Sequence, residues 1–294
     1  MSAIATVSAA TRRSVLVLSC ATFSSMVAQR LCDAMLPELS REFEASLPSA
    51  AQTVSLFAVA YGLAQLIYGP LGDRLGKFRV VTFATLACSL GSVLSAFAPS
   101  LNVLIVARVL VALGAAAIIP LSLAWVGDSV PYERRQETLA RLSLGSTLGI
   151  VAGQLLGGVF TDTLGWRWAF ALMTLQFGLV GAVLFQDWRG QGFPGLASRA
   201  MAPAAKNAGA GPSFIQQVAQ ILRGGWTRRV LLVAFVEGAA GFGVLAIWAS
   251  HLHLELGLSL SASGATVALF GLGGMLYMTV AKRLIPVWGE RGLS

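Results

Sequence analysis

Apolar residues run along this chain in long blocks, separated by short segments that hold nearly all of its Lys and Arg. A helix needs about 20 apolar residues to cross the hydrocarbon of a bilayer. Eight blocks meet that length and predict transmembrane helices near residues 14–36, 50–69, 79–98, 102–126, 142–161, 168–186, 229–250 and 262–281. The first also has the outline of a signal peptide, because Arg12 and Arg13 precede an apolar run. Arg30 and Asp33 inside that block, and Pro37 after it without a small-residue cleavage site, favour a span. The fold class is therefore an all-α polytopic membrane protein.

Positive charge orients the spans. With the N-terminus cytoplasmic, 17 of the 21 Lys and Arg fall on the cytoplasmic side, Arg41 and Arg167 fall outside, and Arg30 and Arg108 lie within spans. Trp125, Trp166, Trp168, Trp188 and Trp226 fall near predicted span ends, where interfacial aromatics belong. One long connection, Gln191 to about Trp226, is rich in Gly, Ala, Pro and Ser. Its first part, through Gly211, reads as a flexible linker, and Phe214 to Leu222 as a short amphipathic helix on the cytoplasmic surface. The expected organisation is a six-helix bundle over 1–190, a cytoplasmic linker over 191–228 and an incomplete second bundle over 229–294.

Composition removes several classes of function. Hydrophobic residues make up 56% of the 294 and charged residues 12%, where soluble domains carry about 25% charged. The net charge of +8 comes from cations clustered between spans, with no basic face or aromatic platform for nucleic acid. Cys20, Cys32 and Cys88 lie within apolar stretches at spacings that suit neither a disulfide framework nor a zinc site. His251 and His253 fall in the loop after the seventh span and read as solvated residues, so no metal site is expected. The loop after the second span lacks the glycine and the Ser or Thr of a phosphate-binding loop, and no zinc-hydrolase, nucleophile-elbow or Cys-x-x-Cys motif occurs. Neither an enzyme nor a bound cofactor is expected.

Sliding the sequence against itself by 213 residues, without a gap, gives nine identities in 31 positions. Ser46-Leu47 meets Ser259-Leu260, Thr53-Val54 meets Thr266-Val267, and Leu56-Phe57 meets Leu269-Phe270; Leu63, Leu71 and Gly76 meet Leu276, Leu284 and Gly289. The second span thus recurs as the eighth in the same orientation, a parallel repeat of the kind that relates the halves of some transporters.

Between the second and third predicted spans the chain reads Gly69-Pro70-Leu71-Gly72-Asp73-Arg74-Leu75-Gly76-Lys77-Phe78-Arg79. Its Gly-x-x-x-Asp-Arg-x-Gly-Lys core closely resembles the loop signature of the major facilitator superfamily. Glycines allow close approach of helix ends, and Asp73 beside cations can make charge-assisted bonds that hold one conformation and break in another. Gly69, Gly72, Asp73, Arg74, Gly76 and Lys77 form the candidate switch loop.

The fourth span carries Arg108, and an arginine inside a span normally faces the bundle interior. It resembles the family's fourth-helix arginine, which the resemblance associates with proton transfer; Val111 and Ala112 replace the usual Gln and first Gly. A purely structural arginine is the alternative. In the fifth span Gly145, Gly149, Gly153 and Gly157, followed by Gly158, recur every fourth residue and form a smooth ridge for close helix packing. The ridge is similar to the antiporter motif of drug–proton exchangers, with Gln154 in place of its proline, and tight packing without any meaning for transport direction is an equal reading.

Intramembrane carboxylates are the candidate coupling groups, because a carboxyl in a low dielectric can titrate as water access changes. Asp33 lies three residues after Arg30 on one helix face, which also suits an internal ion pair. Glu237 lies eight residues into the seventh span with no basic neighbour after Arg229, and is the preferred proton or cation site against a structural glutamate. Gln65 and Gln154 read as polar lining or as bonds to a neighbouring helix.

With Gly165-Trp166-Arg167-Trp168 before the sixth span, the resemblance covers essentially the whole chain and points to the bacterial drug and sugar efflux branch. It implies eight of twelve helices: the first bundle and two spans of the second. It further implies alternating access in the bacterial inner membrane, with a proton gradient driving a small-molecule solute outward. Proton-coupled uptake and a truncated, non-transporting membrane protein are the other readings. The partners expected are the solute and the lipid bilayer, with no nucleic acid and no obligate protein. A complete form is expected to run to roughly 400 residues, and these 294 residues alone are expected not to transport.

Overall fold

The computed structural model describes residues 8–190 and 214–288. The expected flexible linker, Gln191 to Gly211, and the last residues, Gly289 to Ser294, lie outside the described residues. All described elements are helical: α1 (Ala9–Arg30), a 3-10 turn (Asp33–Met35), α2 (Leu36–Glu42), α3 (Leu47–Ala50), α4 (Gln52–Leu75), α5 (Lys77–Ala96), α6 (Leu101–Ser129), α7 (Tyr132–Thr163), α8 (Trp166–Gly190), α9 (Phe214–Arg223), α10 (Gly225–Leu256) and α11 (Leu260–Trp288). Among the described residues, seven helical segments are long and apolar enough to cross a membrane, and the eighth expected span falls on α11, whose apolar stretch is Leu260–Leu276.

The first span is longer than expected and is broken. It runs from Ala9 to Glu42, with α1 ending at Arg30 and the chain passing through the 3-10 turn before α2. Pro37 accounts for the break, since it has no N–H to give the carbonyl of Asp33 and its ring crowds that turn. The interruption puts Asp33 at the junction of two half-helices.

Small residues let the helices close on one another. Ala115, Ala116 and Ala117 of α6 are wholly buried, and Ser25 of α1 donates to the Ala115 carbonyl at 3.2 Å. Helices α1 and α4 to α8 share one core, which includes Leu18, Phe57, Cys88, Ile118, Phe170 and Phe177. Outside it, Leu63, Leu66 and Ile67 of α4 and Leu232, Val233 and Phe235 of α10 stand exposed. An exterior this apolar is stable against hydrocarbon and not against water.

Helix α11 lies along α7 and α10 lies against α11 and the 3-10 turn. The repeat appears as shared local structure at its start. Ser46 caps α3 by accepting from the Ser49 N–H, and Ser259, 213 positions on, caps α11 by accepting from the Ala262 N–H. Asp162 at the end of α7 adds two further acceptor bonds to that helix start, from the N–H groups of Leu260 (3.3 Å) and Ser261 (2.6 Å).

Candidate functional site

Charged and polar side chains are buried together at the broken first span. Arg30, Asp33, Arg108 and Gln154 are each at most 3% exposed. Asp33 Oδ2 accepts from Arg30 Nη1 at 3.3 Å and from Gln154 Nε2 at 2.8 Å. Sequence separation gives no hint of the second bond, which joins residues on different spans.

Arg108 reaches from α6 to the same region and bonds backbone carbonyls there. Its Nη1 donates to the Ala28 carbonyl at 2.5 Å and its Nε to the Thr53 carbonyl at 3.4 Å. The guanidinium carbon lies 4.2 Å from the Phe57 ring centroid, a cation–π contact that offsets part of its lost hydration. Arg30 is covered in the same way by Phe242 of α10, 4.4 Å away. Phe57 and Phe242 are site residues that sequence reasoning missed, because an aromatic in an apolar span carries no local sign of what it will cover.

Four buried polar atoms of this cluster have no hydrogen-bond partner among the described residues: Arg30 Nε, Asp33 Oδ1, Arg108 Nη2 and Gln154 Oε1. Such atoms cost about 1–3 kcal/mol each when left unsatisfied; two of the four are N–H donors and two are acceptor oxygens.

The glycine ridge of α7 fixes the cluster in position. A Cβ at Gly145 would lie 2.8 Å from the Ser19 carbonyl, and one at Gly153 would lie 2.8 Å from Arg30 Cβ and 2.9 Å from the Val27 carbonyl. Those at Gly149 and Gly157 would collide with the carbonyls of Phe23 and Leu31. These four face α1. Gly158 faces α11 instead, against the Leu260 carbonyl.

The other candidates lie apart. Glu237 stands exposed on α10, with no ion pair among the described residues; it is five residues before Phe242, so it points about 140° away from the face that covers Arg30. Gln65 is exposed on α4. At the basic end of the bundle, Lys77 Nζ bonds Asp128 at 2.5 Å and lies 3.6 Å from Asp73. Gly76, which joins α4 to α5, has φ 92, a conformation glycine adopts without strain. A Cβ on Gly72 would meet the Leu121 side chain at 2.5 Å, while Gly69 has no neighbour at its Cβ position and Arg74 is exposed. Among the described residues no group of His, Cys, Asp and Glu has the arrangement of a metal site, and His253 Nδ1 is paired with the Leu258 carbonyl at 2.6 Å.

Charged side chains buried within a bundle of membrane spans mark a candidate functional site. The family model of the Major Facilitator Superfamily matches residues 18–293. The chain belongs to that superfamily. It is 31% identical over 163 residues to the "Probable multidrug resistance protein EmrY" of Escherichia coli (strain K12), a match covering 55% of this chain and 32% of that protein. It is 28% identical over 169 residues to the multidrug export protein EmrB of the same organism, covering 54% of this chain and 33% of EmrB. The matched part thus spans about a third of the length of these curated relatives. The inward-facing, unoccupied crystal structure of a bacterial homolog of the human lysosomal transporter Spinster shares the fold, with a TM-score of 0.73 at 19% identity over 95% of this chain and 64% of that one. The chain is a multi-pass membrane protein of a transporter family.

Proposed function

We propose that this chain carries the coupling site of a proton-driven exporter of small solutes, working by alternating access, with Asp33 as the group that takes and releases the proton. The observation that carries the reading is the buried Asp33, bonded to Arg30 and Gln154 with one carboxylate oxygen free, at the joint between two half-helices. A carboxyl there gains or loses a proton only as water reaches it from one side or the other, which ties protonation to conformation. Export is supported by the matches to proteins named for multidrug export and resistance.

Asp33 takes precedence over Glu237 because other elements converge on it: α7 through Gln154 and α6 through Arg108, while α10 covers its partner Arg30 with Phe242. The loop pair Lys77–Asp128, with Asp73 beside it, is the natural lock for the end of the bundle that opens toward the cytoplasm. The plasma membrane is the proposed location, with the N-terminus inside, as the distribution of Lys and Arg supports.

Uptake with the proton is the second reading. It is favoured by Gln154, which stands where the antiporter motif has proline. Everted membrane vesicles from cells expressing the protein from its own gene separate the two. With the vesicle lumen acidified, an exporter accumulates a fluorescent drug in the lumen. Accumulation only in right-side-out vesicles with acid outside supports uptake, and none in either orientation contradicts both.

A further inference from the structure

Of the side chains that bear on Asp33, which are Arg30, Arg108, Gln154 and the adjacent Cys32, the two guanidiniums can only donate hydrogen bonds. They suit a carboxylate and leave a carboxylic acid, whose O–H needs an acceptor, unserved. Gln154 is different. Its amide carries a donor, Nε2, which bonds Asp33 Oδ2 at 2.8 Å, and an acceptor, Oε1, which is buried and unpartnered. Asp33 Oδ1 is buried and unpartnered as well.

We propose that Gln154 is the positioning residue of the proton site: its amide donates to the Asp33 carboxylate and, after a half-turn about its last side-chain bond, accepts from the Asp33 acid. The proton comes from water and binds a carboxylate oxygen; no bond of Gln154 is made or broken apart from the exchanged hydrogen bond. The inference rests on the reading of Asp33 as the proton carrier.

Packing on both sides holds the backbone of Gln154, so that only the side chain moves. Gly153 lets it approach Val27 and Arg30 of α1, and Gly264 lets α11 lie against the Gln154 carbonyl. The charged or titratable groups facing Asp33 are Arg30, Arg108 and the adjacent Cys32 thiol. Helices α10 and α11 bring no charged side chain to it among the described residues. A Gln at this place therefore keeps the carboxyl bonded in either charge state, whereas an apolar residue leaves the acid form facing donors only.

Infrared difference spectroscopy of the protein in native membranes, stepped through pH, reads both groups without requiring transport. The Asp33 acid carbonyl band, identified by its loss in Asp33→Asn, is expected to appear with the same midpoint at which the Gln154 amide carbonyl band, identified by its loss in Gln154→Met, shifts. In Gln154→Met the Asp33 midpoint should rise by about half to one pH unit, because the charge-assisted bond lost by the carboxylate is stronger than the neutral bond lost by the acid. Gln154→Glu keeps the size and, when protonated, the donor; its midpoint should rise further, because two adjacent carboxylates cannot both ionise freely. An Asp33 midpoint unmoved in both variants, or an amide band that stays still while Asp33 titrates, overturns the proposal and leaves Asp33 as proton carrier. A titrating band unaffected by Asp33→Asn overturns the underlying reading instead.

Discussion

Replacing Gly153 by alanine should damage transport out of proportion to the one methyl group added. The new Cβ would sit 2.8 Å from Arg30 Cβ, 2.9 Å from the Val27 carbonyl and 3.1 Å from Val27 Cα. Ordinary contact begins near 3.4 Å, so α1 and α7 must part by about 0.6 Å, and the atoms in the way are mostly backbone. Overpacking of this kind costs about 1–3 kcal/mol, which for a chain of this size corresponds to roughly 2–10 °C in the unfolding midpoint. Separation also stretches the 2.8 Å bond between Gln154 and Asp33 toward the limit of a useful hydrogen bond.

Gly145→Ala supplies the comparison, because its Cβ meets α1 at Ser19 and Thr22, well away from Asp33. Gly127→Ala is the blank, with nothing within 4 Å. Thermal unfolding in detergent and pH-driven flux in liposomes should rank the three. Gly127→Ala is neutral in both, Gly145→Ala loses stability while its gradient coupling persists, and Gly153→Ala loses both. A Gly153→Ala protein with wild-type midpoint and flux would refute the close approach of α1 and α7 at the cluster.

Other outcomes test separate parts of the account. In a chain whose own cysteines are replaced, Ser100→Cys and Glu255→Cys should react with an impermeant thiol reagent on intact cells, and Tyr132→Cys should not; labelling of Tyr132→Cys would reverse the orientation. Asp73→Asn should slow turnover with little change in solute affinity or in thermal midpoint, since an exposed ion pair is worth only about 0–1 kcal/mol; a large loss of binding would contradict a switching role. Glu237→Gln should leave gradient-driven flux largely intact, and its abolition would make Glu237 a carrier in its own right. Glu42→Gln weakens the contact that accepts from Trp166 and Arg167 and should lower the thermal midpoint by a few degrees, with unchanged stability refuting its part in joining α2 to α8.

Hydropathy made the spans legible because a membrane helix advertises its length and its exterior in the same residues. The end of the first span was not, since its break depends on which carbonyl Pro37 leaves without a donor, and the apolar run continues through it. Arg30 and Asp33 were legible as a pair from their spacing. The Gln154–Asp33 bond was not, because it depends on the register in which α7 lies on α1; the glycines beside Gln154 marked the contact surface but not the partner. Glu237 drew attention as an acid lacking a basic neighbour, a property of local sequence, whereas the cluster at Asp33 is assembled from α1, α6, α7 and α10. The cap that Asp162 places on α11 was likewise hidden, as it joins elements far apart in the chain.

The central claim is that Asp33 carries the coupled proton, and solute flux in liposomes containing the protein expressed from its own gene tests it most directly. Asp33→Asn keeps the size and the acceptor facing Arg30 but cannot exchange a proton. Flux driven by a pH gradient should vanish in that variant while exchange of labelled for unlabelled solute, without a gradient, continues. Gradient-driven accumulation by Asp33→Asn at the wild-type rate would contradict the account.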